Sequence, residues 1–465
     1  MKFFLTIIAL ILLIGFTGCL SHDYEYSEAP RGAILPHHEI AKPEIEKFYQ
    51  GLSEQVQPET IVLIGPNHFA NGEADVQTCL ECGDFAIDKG LIEKMLDEEI
   101  AMQQDDTFPP EHAINIHTPL LQENFPEAEI IPIVLQWRTA AETAAGLAGW
   151  LDQNLPEDSL VIASVDFSHF LPPGLADFHD QASATTIQNF DVENIYDIEI
   201  DSPASIYTLL SLMQARGFEG VEQINHTNSA DFLGQVIEKT TSHQYFAFYP
   251  GVLVPVRGVS IMSFGNLPAS EEAITKHTRD ISGLEGRFLE GNDFDIYNLA
   301  SNQCEIEEKN DMRVALCQSG GEDSAKRDLL EKIEALEADL VYVLAKAEDL
   351  NQSKQLAREF ARAGADIYIG RGLGESAPCD FVDQSLLCYS LGDFITPGQD
   401  GEGMVLGIYA TSESFYLYPV PIKINDGYPK QLPISATKNF YRQFARDSDL
   451  VGELDISKGI FKISR

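Results

Sequence analysis

Three short apolar runs, each followed by histidine, constrain this chain more than any other feature. They are Gly32–Leu35 before His37 and His38, Ile61–Ile64 before His68, and Leu160–Val165 before Asp166 and His169. Runs of this length suit buried parallel strands better than helices. Because the carboxyl ends of parallel strands meet at one edge of a sheet, where open α/β folds bind ligands, we expect these side chains to share one site.

Helical and strand patterns alternate along the rest of the chain. Helices are predicted at Pro43–Gln57, Leu91–Ile100, Thr139–Leu155, Leu175–Phe190 and after Asp201, with further strands at Ile130–Leu135 and Phe246–Val256. This alternation predicts an α/β domain with a largely parallel sheet over residues 31–258. A fresh strand, Val259–Phe264, begins a second α/β or α+β domain, residues 259–465, in which Met404–Ala410 and Phe415–Val420 are predicted to pair.

The charge balance of the chain is strongly acidic. The formal net charge is −42 and the isoelectric point is near 4.4. Nucleic acid is excluded as a partner because its phosphates would be repelled, and an anionic membrane surface is disfavoured as a partner of the folded body.

The first residues are typical of a secretory signal peptide. Lys2 precedes an apolar run from Phe3 to Phe16, followed by Thr17-Gly18-Cys19. This ending is similar to a bacterial lipobox, with Phe16 where leucine is usual, and it predicts lipidation of Cys19. We therefore expect residues 1–19 to be a lipoprotein signal, residues 20–30 a linker, and the mature chain to be exported and lipid-anchored to the extracytoplasmic face of the membrane.

Six cysteines remain besides Cys19, and an even number in an exported chain is compatible with disulfides. They are Cys79, Cys82, Cys304, Cys317, Cys379 and Cys388. Spacing does not fix the connectivity. A local bridge is the preferred interpretation of Cys79-Leu80-Glu81-Cys82, because no second Cys-x-x-Cys exists for a zinc ribbon. Cys379 and Cys388 flank one predicted turn and are natural partners.

The strand-end histidines predict a metal site. His37 and His68 supply two imidazoles, and a carboxylate is the usual third ligand in sites that suit non-haem iron or zinc. Asp166, Asp201 and Asp231 are the candidates, and spacing alone does not choose among them. Asp201 also precedes Ser202 and Pro203, where a carboxylate would favour a helix N-terminus.

Six motifs in register resemble the Memo family, in particular its bacterial branch called AmmeMemoRadiSam system protein B. They are Leu35-Pro36-His37-His38, Ile64-Gly65-Pro66-Asn67-His68, Glu111-His112 through His117, Ser164-Val165-Asp166-Phe167-Ser168-His169, Asp201-Ser202-Pro203 and His226 through Asp231. The resemblance covers roughly Arg31 to Arg257. It implies a fold similar to class III extradiol dioxygenases and a metal held by His37, His68 and Asp201.

The resemblance also places other residues around that ion. Adjacent His38 is the alternative ligand to His37. We expect His112 near the site and His117 in packing or behind the ligands, because residues five apart lie on different sides of a helix. Asp166 and His169 are expected to form an acid–base pair in which the carboxylate orients the imidazole. His226, Asn228 and Asp231 are expected to form a wall of the pocket.

The metal and the reaction stay open at this point. Memo-like proteins are linked to copper through a cysteine, and Asp201 stands at that position, which shifts the preference from copper toward iron, zinc or manganese. One hypothesis is a metal-dependent redox, dioxygenase-like or hydrolytic enzyme acting on a small molecule. The other is a non-catalytic envelope lipoprotein that binds a glycan, a polyanion or a peptide polymer.

The C-terminal half resembles the capsule-biosynthesis (poly-γ-glutamate synthesis) family of metallophosphatase fold, from about Val259 to Tyr418. The motifs are Phe264-Gly265-Asn266, Asp295 through Ala300, Gly364 through Gly370 and Tyr389 through Ile395. Several metal-ligand positions of that family are replaced here, by Asn266, Ala300, Ala345-Lys346-Ala347 and Arg371-Gly372-Leu373-Gly374. A two-metal phosphoesterase site needs several histidines and carboxylates, so the resemblance implies a domain that kept the fold and lost the metals. Asn266, Asn298 and Arg371 are candidates to line a cleft for an anionic glycan or peptide.

Overall fold

The structure is a computed structural model that describes residues 29–235, 237–264, 303–320, 323–393, 400–455 and 457–465. The predicted signal peptide with Cys19, and positions Asn266, Asn298 and Ala300 of the second half, lie outside the described residues. No helix within the described ranges is both long enough and apolar enough to span a bilayer.

A nine-stranded sheet organises the N-terminal half. Its strands are β1 Gly32–Leu35, β2 Thr60–Pro66, β3 Val76–Thr78, β4 Met102–Gln103, β5 Glu129–Leu135, β6 Leu160–Ser164, β7 His169–Leu171, β8 Gly220–Asn228 and β9 Thr240–Tyr249. The spatial order is β4-β3-β5-β2-β6-β1-β9-β7, and β8 pairs with β9. The four central strands β5, β2, β6 and β1 are parallel, so their carboxyl ends leave the sheet at one edge, as predicted.

The outer part of this sheet is less parallel than expected. β9 runs antiparallel to β1, and β7 and β8 run antiparallel to β9. β9 also begins earlier than the predicted Phe246, because the buried residues Ser242, His243 and Gln244 interrupt the apolar pattern on which the prediction depended. A strand can bury polar side chains when they are hydrogen-bonded, and periodicity of apolar residues does not detect this.

Helices cover both faces of the sheet, as in an α/β fold. They are α1 Lys42–Ser53, α2 Lys89–Asp97, α3 His112–Asn115, α4 Thr118–Asn124, α5 Ala141–Asn154, α6 Pro173–Gln188, α7 Pro203–Ala215 and α8 Ser229–Leu233. Alternate residues of β2 enter different core clusters: Val62 and Ile64 belong to one, and Ile61 and Leu63 to the other. Burial on both faces explains why the apolar residues of this strand run without interruption.

Two further sheets make up the C-terminal half, which is also mixed α/β. Its strands are β10 Gly258–Ser263, β11 Gln303–Lys309, β12 Met312–Ser319, β13 Leu340–Lys346, β14 Ile367–Arg371, β15 Cys379–Val382, β16 Ser385–Cys388, β17 Gly401–Thr411, β18 Ser414–Asn425, β19 Tyr428–Gln431, β20 Gly452–Asp455 and β21 Ile460–Ser464. Its helices are α9 Asp323–Glu334, α10 Leu350–Ala363 and α11 Ile434–Asp447. One sheet has the order β10-β17-β18-β21-β20 with β19 beside β18, and the other has the order β11-β12-β13-β14-β16-β15.

Three disulfides join the six described cysteines. The Cys79–Cys82 and Cys379–Cys388 bridges are the expected ones, and Cys304 pairs with Cys317. Cys304 and Cys317 stand opposite each other on β11 and β12, and Cys379 and Cys388 do so on β15 and β16. The last two bridges therefore fasten the two edge strands of one sheet to their inner neighbours.

Helix α6 connects the two halves, because β8 and β9 of the first half pack on it and so do β17 and β18 of the second. Its Leu175 and Phe178 pack with Val405 and Tyr418 from β17 and β18. At the same interface Lys458, in the turn between β20 and β21, places its ammonium 3.2 Å from Asp177 and 3.0 Å from Asp231. A half-buried lysine shared by two carboxylates ties the second half to the first.

Replacing Lys458 by methionine should lower the stability of the protein by about 3 kcal/mol, because two carboxylates would lose their counter-ion. Denaturant unfolding followed by circular dichroism would measure the change. Lys430→Met is the matched control, since Lys430 is an exposed lysine on β19. Equal stability of the two variants would contradict the role given to Lys458.

Candidate metal centre

Three side chains from separate segments converge at the carboxyl edge of the parallel strands. Nε2 of His37, after β1, lies 3.0 Å from Oδ2 of Asp201, which precedes α7. Nε2 of His68, after β2, lies 3.6 Å from the same carboxylate oxygen. The rings of His37 and His68 are 4.9 Å apart between centroids. The structure therefore brings together the three residues predicted as metal ligands.

The atoms that face one another are buried and lack hydrogen-bond partners. Nε2 of His37 and both carboxylate oxygens of Asp201 have no hydrogen bond among the described residues. The N-cap of α7 is Ser202, so Asp201 does not serve as the cap that its position also suggested. Buried polar atoms without partners are costly, and a cation bound between them would satisfy all three. The donor set fits a metal ion.

Glu111 holds the imidazole of His68 from behind. This carboxylate is fully buried, and it accepts a hydrogen bond from Nδ1 of His68 at 2.8 Å and from the His68 backbone N–H at 2.8 Å. A carboxylate that accepts from one ring nitrogen of histidine leaves the other nitrogen available to a metal and raises its basicity. Glu111 thus fixes the orientation of His68 with Nε2 toward Asp201.

A chain of buried groups holds His37 in the same way. Nδ1 of His37 lies 3.0 Å from Oγ of Ser164, which lies 3.1 Å from Nε2 of His117. Nδ1 of His117 in turn lies 2.9 Å from the hydroxyl of Tyr49. The hydrogen bonds between these four side chains can run in either direction, depending on which ring nitrogens of His37 and His117 carry the protons. When Nδ1 of His37 donates to Ser164, its Nε2 presents a lone pair to the site.

The electrostatics of this cluster favour positive charge. Burial alone would lower the pKa of His68, but Asp201 and Glu111 outweigh it and raise the pKa to about 10. Burial would also lower the pKa of His37, but Asp166 and Asp201 outweigh burial, so this pKa is raised above its ordinary value. Burial would raise the pKa of Asp201, yet His37 and His68 hold it well below its usual range. Behind them, burial lowers the pKa of His117 to about 3, so that ring stays neutral.

The comparisons with known proteins concern the half of the chain that contains this site. Residues 17–240 match the family model described as Memo-like protein. The N-terminal half of this chain is a Memo-like domain. A MEMO1 family protein of Caldivirga maquilingensis is 27% identical over 237 residues, covering 46% of this chain and 82% of the relative. One from Methanothermobacter thermautotrophicus is 29% identical over 181 residues, covering 36% and 64% respectively.

Among solved structures, similarity is lower. An uncharacterized Escherichia coli protein has a TM-score of 0.31 at 13% identity, covering 45% of this chain and 98% of its own. A Mycoplasma pneumoniae phosphatase has a TM-score of 0.21 at 14% identity, covering 26% of this chain and 55% of its own. The relatives and the family model all match the half that contains His37, His68 and Asp201.

Within the Memo-like domain, His112 lies beside the site as expected, while Asp166 and His169 do not form the expected pair. The rings of His112 and His68 stack with centroids 4.1 Å apart. Asp166 accepts a hydrogen bond from the backbone N–H of His37 at 3.0 Å. No hydrogen bond joins Asp166 to His169 in the described part of the chain. The turn after β6 aims the carboxylate at the neighbouring strand end, where it positions His37 instead.

His38 turns away from Asp201 and contacts a histidine that the sequence did not single out. Its Nδ1 lies 3.0 Å from Nε2 of His243, and Nδ1 of His243 lies 3.2 Å from Oγ1 of Thr227. His37, rather than His38, therefore faces the carboxylate. Burial lowers the pKa of His243 well below its usual value, so the ring that contacts His38 and Thr227 is neutral.

The residues predicted to form a pocket wall make their contacts away from the metal centre. They are His226, Asn228 and Asp231. His226 approaches Asp180 of α6 at 2.7 Å, Asn228 donates to Asp177 at 2.9 Å, and Asp231 pairs with Lys458. Strand β8 is bonded to β9 and faces α6, so His226 and Asn228 contact the helix that packs on the C-terminal half, and Asp231 contacts that half directly. None of their described hydrogen bonds reaches His37, His68 or Asp201.

The sequence did not reveal the residues that hold the ligands from behind, namely Glu111, Ser164 and Tyr49. Glu111 was visible as the residue before His112, but nothing local shows that it meets His68 from a distant segment. Ser164 was visible as the polar end of an apolar run. A search for one acceptor per predicted histidine ligand would have proposed both as candidates.

Replacing Glu111 by glutamine should weaken metal binding about 10- to 100-fold, because the neutral amide holds His68 less firmly and lowers its basicity. A competitive titration with a chromophoric chelator measures this. Glu129→Gln, an exposed change at the start of β5, is the control and should bind as the unchanged protein does. Identical affinities for both variants would contradict the role of Glu111.

Replacing Ser164 by alanine should cost about 1–3 kcal/mol of stability, because the hydroxyl joins two buried imidazoles that would lose a partner. Thermal unfolding of the variant provides the measurement. Ser159→Ala is a matched control, since Ser159 is also buried but its hydroxyl has no hydrogen-bond partner among the described residues. A larger loss in the control than in Ser164→Ala would refute the proposed chain.

Proposed function

We propose that this protein is a Memo-like metalloprotein with one metal ion held by His37, His68 and Asp201. The observation that carries the proposal is the buried carboxylate of Asp201, whose oxygens have no hydrogen bond from the described residues and whose Oδ2 lies 3.0 Å and 3.6 Å from two imidazole nitrogens. Each imidazole has an acceptor on its other nitrogen, as metal-bound histidines do.

The donor atoms limit the choice of ion. Two imidazoles and one carboxylate suit iron, zinc or manganese, whereas copper in its soft Cu(I) state prefers thiolate. An ion with open positions supplies Lewis acidity for hydrolysis or, if it is redox-active, a centre for dioxygen chemistry. We infer a metal-dependent oxidoreductase or hydrolase acting on a small molecule.

Side chains at the mouth would handle the substrate. His112 stacks on His68 and is half-exposed; burial and its neighbours His68 and His37 lower its pKa, so the neutral ring is suited to accept a proton. Phe69 places an exposed ring 6.3 Å from that of His112. Asp166 holds the backbone of His37, and its other carboxylate oxygen lies 3.7 Å from Nε2 of His37, so Asp166 is both a positioning residue and a further candidate ligand.

Elemental analysis of the purified protein tests this function. The unchanged protein should contain about one ion per chain, and His68→Ala and Asp201→Ala should lose it. His169→Ala is the control and should retain the ion. Two groups of potential ligands surround His37, one with His68 and His112 and the other with Asp166 and Asp201, and His169 belongs to neither. Negligible metal in all four proteins would refute the proposal and favour the alternative, a non-catalytic lipoprotein that binds an envelope polymer.

We further propose that the C-terminal half has no phosphoesterase activity. Where β13 and β14 end, the chain has Lys346, Ala347, Arg371 and Gly372 in place of the histidines that a two-metal site requires. The half then contributes structure and binding surface to the Memo-like domain.

The proposed location is the outer side of the cell membrane, through lipid on Cys19. Expression in a bacterium fed labelled palmitate should label the protein and place it in the membrane fraction. Cys19→Ala should lose the label and leave the membrane fraction. Equal membrane association without label would instead indicate an uncut signal peptide.

A further inference from the structure

A cavity of about 470 Å³ lies where the two halves meet, apart from the metal-binding side chains. Phe170 and Pro172 line it from the Memo-like domain, and Tyr418 and Tyr441 line it from the C-terminal half. This volume is typical of sites for small ligands, which occur preferentially between domains. The cavity is held open by fixed contacts, because Lys458 and the packing of α6 join the walls.

Phe170 is the unusual residue of this cavity. It is 72% exposed, and its backbone has φ of 60°, in the left-handed region that a phenylalanine rarely adopts. It lies at a register shift between β7 and β9, and such bulges redirect a side chain. Strain of this kind persists where surrounding structure imposes it, often at ligand sites. The residue directly before it is His169.

Each charged side chain of the lining has an opposite charge beside it or next to it in the sequence. Lys458 is neutralised by Asp177 and Asp231. At the mouth, Glu238 and Lys239 carry opposite charges, and the ammonium of Lys239 lies 5.8 Å from the centre of the Phe170 ring. An uncharged ligand therefore suits the cavity better than an anion or a cation. The net charge of −42 also repels polyanions.

The lining is also unsuited to an extended peptide. Five of its residues are prolines, which have no N–H to pair with a peptide backbone: Pro172, Pro173, Pro419, Pro421 and Pro433. The cavity offers apolar C–H surface and aromatic faces together with polar groups, which include Gln431, Thr437 and Ser457 besides the charged Glu238 and Lys239. Sugar rings have apolar faces that stack on aromatic rings and hydroxyls that bond to such groups.

We propose that this cavity binds a short neutral saccharide, with one ring stacked on Phe170 and its hydroxyls bonded to Glu238 and Lys239. The site is separate from the metal centre, and binding does not require the ion. In the lipid-anchored protein it would hold a glycan of the cell envelope beside the Memo-like centre.

Calorimetric titration of the full chain with chitotriose and with maltotriose, in the presence of a chelator, tests the proposal. At least one trisaccharide should bind, and Phe170→Ala should weaken that binding about tenfold or more. Glu238→Gln should weaken it as well, and this exposed change keeps the backbone of Phe170 intact should Phe170→Ala fold poorly. Trp137→Ala, an exposed aromatic change outside the lining, should leave the affinity unchanged.

Two outcomes would overturn the saccharide site. One is the absence of heat and of saturation-transfer signals with both trisaccharides. The other is binding that neither Phe170→Ala nor Glu238→Gln weakens. Binding of decaproline, lost in Phe170→Ala, would show a peptide site and refute the saccharide. The saccharide titration is done without the ion, because the chelator removes it. An absence of saccharide binding therefore leaves the proposed metal function standing. Equally, an absence of metal in the elemental analysis leaves the saccharide site standing.

Discussion

The buried carboxylate of Asp201 is the constraint on which the rest of the Memo-like domain depends. It faces two imidazoles and accepts no hydrogen bond from the part of the chain that the structure describes. A charge in this position requires a counter-charge, and the rings of His37 and His68 lie near enough to share one ion with it. Parallel strands provide this convergence, because β1 and β2 end at the same edge while α7 begins there. Glu111 and the Ser164–His117–Tyr49 chain then hold each ring from the opposite side.

A second buried polar network performs a structural task with similar residue types. Asp177, Asp180 and His226 could also hold an ion by distance, but their oxygen and nitrogen atoms already have partners. Lys458 supplies the positive charge there from the other half of the chain. The two clusters differ in one respect: among the described residues, Asp177, Asp180 and His226 have hydrogen-bond partners, whereas Nε2 of His37 and the carboxylate of Asp201 have none. That difference separates an interface from a ligand site.

The sequence predicted the α/β fold, the edge at which the site lies and the two converging histidines, because unbroken apolar runs and strand-end histidines are local features. Asp201 was chosen over Asp166 and Asp231 only by the resemblance to the Memo family. It did not predict that Asp166 would turn to His37, or that Glu111 would meet His68, because these contacts join distant segments. β9 was predicted late for a related reason: its buried polar residues are satisfied by partners outside the strand. His226 and Asp231 were assigned to the wrong surroundings, since the sequence does not show that Lys458 approaches them.

Anomalous diffraction from crystals of the metal-bound protein tests the account most directly. A single strong peak is expected about 2 Å from Nε2 of His37, Nε2 of His68 and a carboxylate oxygen of Asp201. A protein that binds metal only at Asp177, Asp180 and His226, or that shows no peak between His37 and Asp201, would contradict it.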